Sequence, residues 1–368
     1  MGSDPAEWTI QRIGVVGAGA MGSSLASMIG QVAPTVMVCR SSHRASHVVR
    51  NGVKTTGLIE ASARPNVVRS IADLTQAGGI SVLFIATKTT AIPSVAVELK
   101  PLLDKIADQP AGLFVVSFQN GIEPGRQLIE LLDYPRVLRM VLNLGATMRQ
   151  VDEIVDVTMQ QPPNFIGTLD TAHIPACREI ANLLCAAGFE TVVAPDIETE
   201  VWKKGIINAA TNPVCALVNS SVGEVLNSPS RIIVDRLLEE GIAVAQAKGF
   251  KLDDGFVANA YGILDSAHNH TPSMVEDIRQ GRESEVGQLN RQIIEHARKL
   301  ALATPTHEII DVLIETFDFQ TYARRGTKDR VVSAGGACCS SCAAQGDPLH
   351  ECQRGQIPMS GTTAPCDH

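Results

Sequence analysis

Ile13-Gly14-Val15-Val16-Gly17-Ala18-Gly19-Ala20-Met21-Gly22 decides the fold of this chain. A short apolar run leads into G-x-G-x-x-G, and residues 23–31 continue with helical spacing. Each glycine has its own task. Gly17 allows the tight turn, Gly19 lets backbone approach a pyrophosphate, and Gly22 permits close packing of helix on strand. Ala18, Ala20 and Met21 complete a loop whose N–H groups open a helix and carry its partial positive charge. The pattern predicts a dinucleotide site. By itself it is a weak signal, because a glycine-rich turn needs no ligand; its place at the head of a strand-helix series gives it weight.

Outward from the loop, apolar runs alternate with amphipathic segments, the pattern of a parallel sheet covered by helices. Strands are expected at residues 13–16, 36–39, 82–86, 113–118 and 137–142, and a further helix at 92–103. Their near-continuous apolar character fits burial on both faces. Residues 154–159 and 164–168, separated by Pro162-Pro163, are expected as two strands at a sheet edge, where proline is tolerated. From about Asp196 only helices are expected, over 199–220, 230–248, 253–265, 274–280, 283–301 and 306–319, with Ser230 and Thr306 as N-caps and Gly249 as a stop. An α/β half is thus followed by an all-α half. The expected division is 1–11 as a flexible N-terminus, 12–195, 196–322, and 323–368 as a disordered tail too poor in branched aliphatics to offset its ordering entropy.

The residues beyond the strand ends indicate the ligand. Arg40-Ser41-Ser42-His43-Arg44 follows the second strand without a carboxylate, so Arg40 favours NADP(H) over NAD(H); a solvated loop arginine is the alternative. Lys88 and Asn120 follow two further strands, near where the nicotinamide would lie, although Asn120-Gly121 is equally a plain turn. Lys204, Asn208 and Asn212 form one line along an otherwise apolar helix that Pro213 should bend, leaving the Ala209 carbonyl free. Ser273, Glu283 and Glu285 form a second polar cluster that helix capping alone would also explain.

Composition narrows the classes. The 368 residues are 45% apolar and 19% charged, ordinary for globular domains, and suffice for about two of them. A net charge of −8 argues against nucleic acid or an anionic membrane as partner, so an anionic ligand must be held by local cations. No run reaches the roughly 18 apolar residues of a membrane span. Residues 1–11 lack a secretory plan, and Ala6 argues against myristoylation, so the expected address is cytoplasmic. Cys338, Cys339, Cys342, Cys352 and Cys366 follow no regular metal-ligand spacing; no metal site is expected, and deletion of the tail should spare activity.

The ordered set of the glycine loop, Thr87-Lys88, Asn120-Gly121, Glu200-Val201-Trp202-Lys203-Lys204 with Asn208 and Asn212-Pro213, and Pro272-Ser273-Met274 with Asp277 and Glu285 resembles the ketopantoate reductase family over residues 13–319. The resemblance implies a Rossmann-type N-terminal domain, a helical C-terminal domain and a cleft for NADPH and a 2-keto acid, reduced on the way to pantothenate and coenzyme A. It implies Lys204 as general acid with Glu285 as its carboxylate companion. Ser273, Asn208 and Asn212 would hold substrate, with Asn120 and Lys88 on the nucleotide side. Val222, His270 and Gly287 depart from the family's usual polar or acidic residues. Val222 opens the alternative of a related NAD(P)-dependent 2-hydroxy acid dehydrogenase with a more apolar substrate. A non-catalytic NADP-sensing module is a further alternative. The expected partner is a small 2-keto acid, and the chain is compatible with a homodimer.

Overall fold

Strand runs that are apolar at every position are satisfied only where both faces of the sheet are covered. The computed structural model, which describes residues 8–106 and 112–325, provides that cover. Its strands are β1 (Arg12–Val16), β2 (Thr35–Val38), β3 (Val53–Gly57), β4 (Ala61–Ala63), β5 (Asn66–Val68), β6 (Ile80–Ile85), β7 (Phe114–Ser117), β8 (Val137–Val141), β9 (Leu144–Met148), β10 (Val155–Gln160), β11 (Asn164–Gly167) and β12 (Thr191–Val193). Helices α1 (Ala20–Ile29), α2 (Ser42–Asn51), α3 (Leu74–Ala77), α4 (Ile92–Ile106), α5 (Pro124–Leu132) and α6 (Ile174–Ala186) lie between them. Then come α7 (Ile197–Val218), α8 (Val222–Leu226), α9 (Arg231–Ala247), α10 (Phe256–Ser266), α11 (Ser273–Arg279), α12 (Asn290–Lys299) and α13 (Pro305–Arg325).

The large sheet runs β12-β11-β8-β7-β6-β1-β2-β5, parallel throughout except where β11 meets β8. Neighbouring residues feed opposite cores. Val15, Phe84 and Val116 pack with Leu25, Met28 and Ile180, whereas Val16, Leu83 and Val115 pack with Val95, Leu99 and Leu128. The chain continues into a helical core around Trp202, Ile206, Val214, Leu237, Ile293 and Ile314. The fold is therefore a Rossmann-like α/β region followed by a helical region. The described residues up to Thr321 form one compact unit. Among them no helix is long and apolar enough to cross a membrane.

Helix α7 is the backbone of the helical region. Asp196 caps it, accepting from the N–H groups of Glu198 (3.1 Å) and Thr199 (3.3 Å), a contribution of about 1 kcal/mol. Asn219, at φ +56°, ends it. The Ala209 carbonyl freed by Pro213 accepts from Asn290 Nδ2 at 2.9 Å. Asn290 also donates to His307 Nδ1 (3.0 Å), whose Nε2 donates to the Leu237 carbonyl (3.0 Å).

Several expectations are corrected. Residues 154–159 and 164–168 are strands but neither is an edge: β10 lies inside a second sheet, β4-β3-β10-β9, and β11 lies between β8 and β12. Pro162-Pro163 sits in their connection, so its missing donors never bear on a ladder. That second sheet is itself unanticipated. The helix expected over 283–301 is interrupted, and α12 begins only at Asn290. The backbone N–H and hydroxyl of Ser284 both donate to Asp318 (3.0 and 2.7 Å), holding residues before the helix in another course. Thr306 is not a cap, because α13 begins at Pro305 and the N–H groups of Thr306 and His307 donate to the Glu240 carboxylate. Ser230 and Pro272 occupy N-cap positions without a side-chain bond, which makes Ser273 the first helical residue rather than the cap. The cysteine tail lies outside the described residues.

Candidate active site

The glycine loop has the turn, the open approach and the close packing that the three tasks require. Gly17 has φ +111°, and a Cβ there would stand 2.8 Å from the Ala86 backbone. A Cβ on Gly22 would stand 1.9 Å from the Gly17 carbonyl oxygen. Around Gly19, the N-cap of α1, nothing lies within 4 Å of such an atom. The loop therefore offers free N–H groups to open space, the cradle a pyrophosphate requires.

A cavity of about 330 Å³ continues from this loop, lined by Val16, Gly17, Ala18, Val38, Cys39, Arg40, Ser41, Arg44 and Thr87. Two arginines line it and a third bonds to the backbone of its wall, with different commitments. Arg44 is 8% exposed; Nε donates to the Ala18 carbonyl (3.1 Å), Nη2 to Ser23 Oγ (2.8 Å), and Nη1 to Glu153 Oε2 (2.5 Å). It braces the loop, and its charge is compensated. Arg40 is exposed and meets Glu98 at 2.7 Å. Arg69, which the sequence reading missed, reaches from beyond β5 to donate to the carbonyls of Cys39 (2.9 Å) and Arg40 (2.5 Å). It forms no ion pair among the described residues and keeps part of its donor fork free.

At the strand ends, α7 meets the loop after β7. Gly205 permits this contact, since a Cβ there would lie 2.7 Å from Ile122 Cγ1. Ile122, 2% exposed, packs into the helical core, and its N–H donates to the Gln288 carbonyl at 2.9 Å. Lys204 thereby reaches Asn120: its Nζ donates to Asn120 Oδ1 (3.1 Å) and to the Leu142 carbonyl. A cavity of about 10 Å³, room for one water, lies among Asn120, Arg139, Leu142, Lys204 and Asn208. Burial, with help from the Arg139 guanidinium and opposition from Glu285, pushes the Lys204 ammonium down to about 8. Adjacent Lys203 instead turns to Glu200 at 3.0 Å.

Glu285 and Asp277 bridge to the segment after β6. Thr89 donates to Glu285 Oε1 through N (3.1 Å) and Oγ1 (3.0 Å). Lys88 Nζ lies 2.7 Å from Asp277 Oδ2 and 3.6 Å from Glu285 Oε2. Burial lowers the Lys88 pKa, but Glu285 and Asp277 outweigh it and the net direction is upward. Glu285 thus acts on Lys204 through its field, while Thr89 holds Oε1 and Lys88 lies near Oε2. Asn208 and Asn212 are half-buried and Ser273 is exposed; their side chains make no hydrogen bond to another described residue. Val222 is 2% exposed. Thr89 and Arg139 are further residues that the sequence reading missed. A signal existed for Arg139, because a charge inside Val137-Leu138-Arg139-Met140-Val141 contradicts a strand buried on both faces.

A G-x-G-x-x-G loop heading a mixed sheet, with a half-buried lysine at the strand ends, is the arrangement of a pyridine-nucleotide-dependent oxidoreductase acting on a CH–OH group. Residues 13–167 match the family model described as "Ketopantoate reductase PanE/ApbA", and residues 196–317 match the model of its C-terminal part. The chain belongs to the ketopantoate reductase PanE/ApbA family. It is 24% identical to 2-dehydropantoate 2-reductase of Archaeoglobus fulgidus over 294 residues, 80% of this chain and 93% of that protein. A PanE/ApbA family ketopantoate reductase from Ralstonia eutropha JMP134 superposes with TM-score 0.73 at 22% identity, covering 84% of this chain and 99% of the other. D-mandelate dehydrogenase in a ternary structure with NADH and anilino(oxo)acetate gives TM-score 0.73 at 18% identity and the same coverages.

Proposed function

We propose that the chain is an NADPH-dependent reductase of 2-keto acids, with 2-dehydropantoate as its substrate and pantoate as its product, a step of pantothenate and coenzyme A biosynthesis. One observation carries this reading: the Lys204 ammonium, half-buried and held by Asn120 and the Leu142 carbonyl where the sheet meets α7. Residues 12–195 would bind the nucleotide and 196–322 the substrate. The free approach at Gly19 and the cavity bounded by Arg40 and Ser41 fit such a nucleotide. Gly17, Ala18, Gly19, Ala20, Met21 and Gly22 would hold the pyrophosphate, and Arg40, aided by Arg69, a 2′-phosphate.

When bound, the reduced nicotinamide supplies a hydride to the keto carbon. Lys204 faces the oxygen on which negative charge then grows and favours the transition state over the ground state. It gives that oxygen a proton and is left as an amine. Asn208, Asn212 and Ser273 have uncommitted polar groups for the substrate's hydroxyl and carboxylate oxygens, and Asn120 aligns Lys204. Glu285 keeps part of the charge on Lys204 while Thr89 fixes its carboxylate. A reducing, cytoplasmic setting fits the free thiols of Cys39, Cys177, Cys185 and Cys215.

A second reading, a 2-hydroxy acid dehydrogenase with a bulkier, more apolar substrate and NADH, is favoured by the burial of Val222 and by the likeness to D-mandelate dehydrogenase. Oxidation of NADPH and NADH is followed with 2-dehydropantoate and a panel of aromatic and branched 2-keto acids. Turnover highest with 2-dehydropantoate and NADPH supports the first reading; preference for an aromatic keto acid with NADH supports the second. No turnover with any of them, while nucleotide still binds, supports a sensing module. Lys204→Ala is expected to lower turnover by at least about 100-fold; unchanged turnover removes it as the acid.

A further inference from the structure

Arg139 stands in the middle of β8, flanked by Val137, Leu138, Met140 and Val141. It is 7% exposed and forms no ion pair among the described residues. Nη2 donates to the Gly121 carbonyl, while Nε has no hydrogen-bond partner. The carboxylates that influence it are committed elsewhere: Glu198 lies 2.7 Å from Arg126, and Glu123 lies 2.7 Å from His296. A buried guanidinium left in this state costs several kcal/mol, and an apolar side chain of similar volume would be the more stable choice. Its position suggests what offsets the cost. Arg139 lines the same water-sized cavity as Lys204 and Asn120, and the carbonyl it holds belongs to the residue after Asn120.

We infer that Arg139 is a positioning residue for the reductase site: it pins the Asn120-Gly121 loop and, by its uncompensated charge, readies the Lys204 ammonium to release its proton. The inference rests on the proposed role of Lys204 as acid. As the product O–H bond forms, an N–H bond of Lys204 breaks and a neutral amine remains; a cation nearby favours that amine over the ammonium. Water reprotonates it for the next turnover. Five charged groups surround this pair. Glu285, from the segment after α11, opposes Arg139 at Lys204, and Lys88 lies beyond it. Glu123 and Glu198 oppose, and Arg126 reinforces, the burial of Arg139 itself.

The full chain labelled with ¹³C at lysine Cε, with the Lys204 resonance assigned by its loss in Lys204→Met, gives the titration midpoint directly. The midpoint in the wild-type chain is expected near 8. Arg139→Met and Arg139→Gln should raise it by at least about half a pH unit, and Arg139→Lys should leave it close to wild type. The high-pH limb of kcat should move in the same direction in the same variants. An unmoved midpoint in Arg139→Gln, with turnover lowered equally at every pH, overturns the inference and leaves Arg139 a structural brace. A wild-type midpoint near that of an exposed lysine overturns it without any variant. A midpoint that moves while the kcat limb does not supports the Arg139 assignment and overturns Lys204 as the acid.

Discussion

Lys203 and Lys204 are adjacent, yet only one lies at the strand ends. At helical spacing neighbouring residues diverge by about 100°, so Lys203 turns to Glu200 while Lys204 meets Asn120. An ammonium titrating near 8 donates below that pH and accepts above it. Reduction of the keto acid should therefore slow as pH rises through about 8, and oxidation of the hydroxy acid should quicken over the same range; initial rates in both directions from pH 6 to 10 check this. Arg69 belongs to the same scale. Removing its free charge in Arg69→Met should weaken NADPH binding by about tenfold and leave NADH nearly unchanged, as read by quenching of protein fluorescence. Equal weakening of both nucleotides would make Arg69 only a brace for the Cys39 and Arg40 carbonyls. Arg40 could be read from sequence because it follows its strand directly. Arg69 could not, because it reaches the same place from a strand whose neighbour is fixed only by sheet order.

The legible elements were those with continuous apolar character or an unbroken helical period. The strands β1, β2, β6, β7 and β8 and the helices α1, α4, α7 and α9 fall within a few residues of their expected limits. Short strands such as β4 (Ala61–Ala63) carry no periodic signal, and in the second sheet β10 alone was expected. The helix expected from residue 283 begins only at Asn290, because Ser284 and Glu285 find partners on distant elements, Asp318 and Thr89. The free Ala209 carbonyl was foreseeable from Pro213, but its pairing with Asn290 was not. Asn290→Ala leaves the Ala209 carbonyl and His307 Nδ1 unpaired in a dry core. It should cost about 1–3 kcal/mol in urea unfolding, with a smaller effect on nucleotide binding.

For the molecule as a whole, acid should act through His307. Burial holds its pKa down, to about 4 against an ordinary 6.5. The imidazole accepts from Asn290 and donates to Leu237, an arrangement that requires the neutral ring. Below pH 6.5 the unfolded chain takes up a proton that the folded chain refuses until about 4. Stability should fall across that window, by up to about 3 kcal/mol, and a His307→Gln variant should show a shallower fall in denaturant titrations at pH 7, 6 and 5. The family match ends at residue 317, and the polar tail was expected to contribute no core. A chain ending after residue 325 should retain nucleotide binding and turnover; loss of both would assign the tail a part in the site.

Local sequence was enough to mark the glycine loop, the change from sheet to helices and the polar line on α7, because each depends on neighbours a few residues apart. Tertiary structure alone decided which groups share a charge environment. Lys88 with Asp277, Thr89 with Glu285 and Arg139 beside Lys204 join residues far apart in the chain. Coulombic and desolvation energies depend on separation and burial in space, to which the order of residues gives no direct measure.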